Sequence, residues 1–79
     1  MPDVVIYTSP FCIPCEEAKR YLTSAGIEFE LIDVLIDEDV QDMLEERGFS
    51  STPVISIGGE FIDGFDRARV DQLLGLTTS

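Results

Sequence analysis

Cationic side chains are scarce in this sequence, and histidine is absent. The chain of 79 residues carries 16 acidic side chains against five basic ones, Lys19, Arg20, Arg47, Arg67 and Arg69, for a formal net charge of −11. So few cations cannot neutralise phosphates and release their counterions, which excludes nucleic acid and anionic membrane surfaces as partners. No run approaches the roughly 18 apolar residues that span a bilayer. Met1-Pro2-Asp3 leads straight into an apolar segment, without the basic region and small-residue cleavage site of a secretory signal. The expectation is a mature, cytoplasmic chain that begins here. Length is limited too: 79 residues suffice for one domain, 1–79, and not for two, since domains average about 100–200 residues. A chain this short buries only about 60–65% of its unfolded surface, so modest stability is expected. Disorder is excluded despite the charge, because 44% of the residues are hydrophobic and they recur with clear periods.

Val4-Val5-Ile6-Tyr7 is a β-branched apolar run suited to a strand buried on both faces, stopping at Thr8-Ser9-Pro10. Ala18, Tyr21, Leu22 and Ala25 recur at helical spacing, with Gly26 placed as a C-terminal stop. Phe29 to Val34 reads as a second strand. Val40, Met43 and Leu44 mark a second helix between Asp37 as N-cap and Gly48 as stop. Val54 to Ile57 and Glu60 to Ile62 flank Gly58-Gly59, a pair that accepts the positive φ values of a two-residue hairpin turn. Asp66 caps a last helix with Val70, Leu73 and Leu74 on its apolar face, ended by Gly75 and a short polar tail. The order βαβαββα predicts an α/β fold: a four-stranded mixed sheet with three helices, its first two strands parallel neighbours and the hairpin extending the same sheet.

Two cysteines three positions apart would close too short a loop to staple a secreted domain, so Cys12-Ile13-Pro14-Cys15 points to chemistry. At a strand-to-helix junction Cys12 meets the free N–H groups and the positive end of the helix dipole, which stabilise a thiolate. Cys15, one turn on, is placed to attack a mixed disulfide held on Cys12. Pro14 costs little in a first turn and stiffens the loop. Glu16 and Glu17 favour the helix start but oppose a negative sulfur. Zinc held by these thiols would need carboxylates or a second subunit to complete four ligands. Haem attachment would need a histidine where Glu16 stands.

Taken in order, Tyr7-Thr8-Ser9-Pro10-Phe11-Cys12-Ile13-Pro14-Cys15, then Ser51-Thr52-Pro53-Val54, then Gly58-Gly59 and Asp63-Gly64-Phe65-Asp66 make nearly the whole chain similar to the thioredoxin-fold redoxins. The resemblance is specifically to the glutaredoxin-like and NrdH-redoxin branch. It implies a thioredoxin-like fold and a dithiol-disulfide oxidoreductase that needs no bound cofactor or metal. It also implies that Cys12 and Cys15 are catalytic. Pro53 would be a cis-proline facing the dithiol, with Thr52 offering its backbone to substrate, and Phe11, Gly64, Phe65 and Asp66 would complete the substrate surface. Two other roles stay open here: Asp66 as a helix cap, and Phe65 as a core residue or as a cover for the bound thiol.

The departures from that pattern bear on the electron donor. Pro14 precedes the second cysteine, as in thioredoxins, whereas typical glutaredoxins place proline directly after the first. Ser9 stands where glutaredoxins commonly carry a lysine that holds a glutathione carboxylate. Phe65 and Arg67 interrupt the glutaredoxin aspartate motif, and Gly64-Phe65 looks like the NrdH-redoxin pattern. The resemblance therefore implies a monomer that reduces a disulfide-bearing protein, ribonucleotide reductase among the possible targets, and is recharged by a thioredoxin-reductase-type enzyme. Glutathione as donor is the alternative that Gly64 and Asp66 leave open, and a dimeric iron-sulfur or metal carrier is a further one. The acidic runs Asp37-Glu38-Asp39 and Asp42, Glu45, Glu46 read as the solvated face of the second helix.

Overall fold

The first apolar run forms strand β1 (Val4–Thr8), and a computed structural model describing residues 3–75 places it inside a four-stranded sheet. The other elements are α1 (Ile13–Ser24), β2 (Glu30–Asp33), α2 (Glu38–Glu46), β3 (Val54–Ile57), β4 (Glu60–Asp63) and α3 (Arg67–Leu74). The sheet order is β2-β1-β3-β4. Strand β1 runs parallel to β2 and antiparallel to β3, and β3 and β4 pair as a hairpin. Gly58 and Gly59 have φ of 56° and 92° at the hairpin turn, as a two-residue loop with positive φ at both positions requires.

Alternation along the strands divides the core between the two faces of the sheet. Val4, Ile6, Ile55, Ile57 and Ile62 pack with Ala18 and Leu22 of α1 and Val70 of α3. Tyr7 and Val54 pack on the opposite face with Leu44 of α2, where Val5, Ile32, Val40 and Phe61 join them. Strand β1 is therefore buried on both faces, as its unbroken apolar run indicated, and so is β3, all four of whose residues are buried.

Helices α1 and α2 end by the same device. Gly26 N–H donates to Thr23 O at 3.1 Å and Ile27 N–H to Leu22 O at 3.0 Å. Gly48 N–H donates to Glu45 O at 3.0 Å and Phe49 N–H to Leu44 O at 2.9 Å. Both are Schellman closures, in which the residue after the glycine folds back on the helix. Ile27 and Phe49 accordingly pack into the same clusters as Leu22 and Leu44. This corrects the reading of Ala25, which is exposed and forms the C-cap of α1. The chain turns at Gly26 before Ala25 can face inward, and Ile27 fills the apolar position instead. The second strand is also shorter than Phe29 to Val34, because pairing with β1 runs only from Val5↔Glu30 to Thr8↔Asp33. The polar tail after Gly75 lies outside the described residues.

On the α2 face, Phe61 stacks between Tyr7 and Phe49, with centroids 6.0 Å apart in each pair, and the Arg47 guanidinium lies 4.4 Å above its ring. Burial pushes the Tyr7 phenol above its ordinary value, Arg47 opposing and Glu30 adding to the rise. The folded state thus retains this proton at pH values where the unfolded chain loses it, so the stability it contributes is complete below pH 10.0 and falls as pH rises further. Tyr7→Phe removes that loss. Urea denaturation at neutral pH and near pH 11 should show the variant gaining on the wild type at the alkaline pH, and an unchanged difference would contradict the assignment.

Candidate active site

The site is assembled from the ends of β1 and β3. After Thr8 the chain passes through Ser9, Pro10 and Phe11 and enters α1 with Cys12 as N-cap. Phe11 is fully exposed with φ of 59°, a left-handed conformation that an aromatic residue adopts only under local constraint. The Cys12 sulfur accepts a hydrogen bond from the Cys15 N–H at 3.2 Å, and Cys12 O accepts from Glu16 N–H, also at 3.2 Å. Cysteine therefore performs here the capping task usually given to serine or aspartate, at the end of the helix that favours negative charge.

The two sulfurs are joined as a disulfide, and they differ in exposure. Cys15 is 0% exposed and belongs to the core, whereas Cys12 is partly exposed and its neighbour Ile13 is 72% exposed. Pro14 lies in the first turn, where its missing N–H has no helical acceptor to disappoint. The opposition expected from Glu16 is moderated by Lys19, whose ammonium lies 2.7 Å from the Glu16 carboxylate.

The Thr52-Pro53 peptide is cis, the isomer that the resemblance implied, and Pro53 is buried. On one side of this loop the Ser9 and Thr52 hydroxyls are hydrogen-bonded at 2.6 Å. On the other, Gly64 N–H donates to Pro53 O at 2.9 Å. This bond extends the β3–β4 register by one step beyond Val54↔Asp63 and sets Gly64, with φ of 78°, next to the proline. Asp66 caps α3, its carboxylate accepting from Arg69 N–H at 3.2 Å. Phe65 is partly buried against the α1/α3 core, with its ring 5.8 Å from that of Tyr21.

Among the described residues, the guanidinium contacts of Arg67 and Arg69 are with residues other than Gly64 and Asp66. Arg67 lies 4.6 Å above the Tyr21 ring, while Tyr21 itself donates to the Asp71 carboxylate. Arg69 donates to Gln72 at 3.2 Å and leans toward Glu60 at 3.8 Å. The sequence reading had no signal for the Tyr21–Arg67 stack, or for a cavity of about 250 Å³ beside Thr52 that Leu35, Leu44 and Phe49 line. Among the described residues, no group of three or more Cys, Asp or Glu gathers where it could hold a metal ion.

The model of the glutaredoxin family matches residues 4–62. The chain belongs to the glutaredoxin family. A glutaredoxin-like 8.6 kDa protein encoded in the rubredoxin operon of Clostridium pasteurianum is 38% identical, over 90% of this chain and 96% of that protein. The glutaredoxin-like protein NrdH of Salmonella typhimurium is 34% identical, over 90% of this chain and 88% of its own. Among solved structures, the NrdH-redoxin of Escherichia coli superposes with a TM-score of 0.79 at 30% identity, covering 96% of both chains. The fold is thus thioredoxin-like, and the protein is a thiol-disulfide oxidoreductase built around the Cys12-Cys15 pair.

The difference in exposure between the two sulfurs predicts asymmetric labelling. Brief treatment of the reduced protein with iodoacetamide near neutral pH should alkylate Cys12 and spare Cys15, because the partly exposed capping sulfur is the one that can be both ionised and reached. Peptide mapping that found Cys15 modified first would contradict the assignment.

Proposed function

We propose that this protein reduces protein disulfides in the cytoplasm as a monomeric thioredoxin-like domain, 1–79, and is recharged by a thioredoxin-reductase-type flavoenzyme. Cys12 is the nucleophile. Its thiolate attacks one sulfur of the target disulfide, forming a Cys12–substrate disulfide and expelling the other sulfur as a thiolate that takes up a proton. Cys15 then loses its proton and attacks the Cys12 sulfur. This step forms the Cys12–Cys15 disulfide and releases the second substrate thiol, so two electrons pass from the dithiol to the target. The reductase returns them. Thr52 and Pro53 carry the backbone against which the target chain lies, and Phe11, Gly64, Phe65 and Asp66 border it. The chemistry uses the protein's own sulfurs, with no cofactor.

The observation that carries the choice of donor is the engagement of the nearby polar handles elsewhere. Glutathione is an anion, and binding it on a surface of net charge −11 calls for local cations. Arg67 is stacked on Tyr21, Arg69 leans to Glu60 and Gln72, and the Ser9 hydroxyl is bonded to Thr52. The NrdH-redoxin of Escherichia coli is described as having a thioredoxin-like activity profile, which supports the same choice.

Two experiments test this reading. Cys12→Ser should abolish disulfide reduction, whereas Cys15→Ser should accumulate a mixed disulfide through Cys12; trapping through Cys15 would reverse the roles. NADPH oxidation coupled through thioredoxin reductase should exceed that coupled through glutathione and glutathione reductase by about tenfold or more, the discrimination that a missing charged contact supports. Arg67→Ala should leave both rates nearly unchanged. A large loss of glutathione-dependent activity in that variant would assign the donor to glutathione.

A further inference from the structure

We infer that Ser9 is a positioning residue, whose hydrogen bond to Thr52 holds the loop carrying Cys12 and the loop carrying Pro53 at the separation that a substrate disulfide needs. The inference rests on the protein-disulfide reading above, though not on the identity of the electron donor. Strands β1 and β3 pair with Val4 opposite Ile57, Val5 opposite Ser56, Ile6 opposite Ile55 and Tyr7 opposite Val54. Continuing that register two positions brings Ser9 opposite Thr52. The backbone ladder does not extend so far: Tyr7 opposite Val54 is its last pair, and Thr52 makes no backbone hydrogen bond among the described residues. The hydroxyls of Ser9 and Thr52, 2.6 Å apart and partly buried, supply the rung that the backbone omits. Pairs of hydroxyl residues facing each other across antiparallel strands stabilise them in this way.

The location gives this rung a function. Ser9 precedes the nucleophile by three positions, and Thr52 immediately precedes Pro53. With its hydroxyl engaged by Ser9, Thr52 keeps its backbone for the incoming chain, since neither its N–H nor its C=O makes a backbone hydrogen bond among the described residues. An extended substrate segment can use those groups as it would a strand edge. The rung fixes their position relative to Cys12 before substrate arrives, so the ordering cost is not added to each binding event. Losing it should weaken binding of substrate and transition state alike, which raises KM and leaves kcat nearly constant.

The test is insulin reduction driven by dithiothreitol, which avoids any dependence on a reductase. Ser9→Ala and Thr52→Val should each raise KM for insulin by about three- to tenfold, with kcat changed by less than about twofold. The double variant should be no worse than either single one, as expected when both remove the same bond. Ser9→Thr and Thr52→Ser keep a hydroxyl on each side and should restore KM toward the wild-type value. Unchanged KM in Ser9→Ala, a fall in kcat alone, additive effects in the double variant, or no recovery in Ser9→Thr would each overturn the assignment. Failure of the wild type to reduce insulin would instead overturn the protein-disulfide reading itself.

Discussion

Antiparallel pairing of β1 with β3 is the constraint on which the site depends. One strand delivers the loop that carries Cys12, and the other begins at the loop that carries Pro53, so their register decides which residues of the two loops meet. Tyr7 opposite Val54 is the last backbone pair, and beyond it lie the two loops of the candidate site, joined by the Ser9–Thr52 hydrogen bond. The β3–β4 ladder is extended at the same point by the bond from Gly64 to Pro53. Residues distant in sequence are therefore set side by side by β-pairing, and the pairing is held by apolar side chains on both faces. Ile6 and Ile55 lie on one face, Tyr7 and Val54 on the other. A slip of one position would turn each of these side chains to the opposite face, so the core that fixes the register also fixes the site.

Much of this arrangement was legible in the sequence, for identifiable reasons. Asp37, Asp66, Gly26, Gly48 and the Gly58-Gly59 pair mark boundaries because capping and positive φ are local requirements, satisfied by few residue types. The Cys-x-x-Cys pair was legible because helix periodicity alone places its two sulfurs one turn apart. The closures of α1 and α2 were harder to read. Ala25 fits the helical stripe as well as any residue, and only the fold-back at Gly26 gives its place to Ile27. The Tyr21–Arg67 stack and the Ser9–Thr52 bond join residues far apart in the chain. Neither has a local signature, since each depends on how separate elements pack.

The distribution of charge separates the surface from the site. Asp37, Glu38, Asp39, Asp42, Glu45 and Glu46 are all exposed on or beside α2, where solvent screens them and where they leave the core undisturbed. Close to the dithiol the balance is finer. Glu16 lies in the first turn of α1, where it stabilises the helix and opposes a thiolate, and its pairing with Lys19 reduces that opposition. One of only five cations in the chain is thus spent within a turn of the Cys12-Cys15 pair. The same shortage makes Arg67 and Arg69 informative, because their contacts are with Tyr21, Gln72 and Glu60.

The capping role of Cys12 joins stability to redox chemistry. In the disulfide, its sulfur is a weak neutral acceptor for the Cys15 N–H. Reduction followed by ionisation turns the same sulfur into a charged acceptor at the positive end of α1, where hydrogen bonds to an ion are roughly twice as strong as neutral ones. The helix start therefore favours the reduced, ionised state more than the disulfide, while the acidic surroundings favour it less. Cys15 lies inside the turn and is fully buried, away from the exposed helix start. The two sulfurs thus differ in place before any substrate is present: Cys12 caps the helix at a partly exposed position, and Cys15 lies one turn on, fully buried.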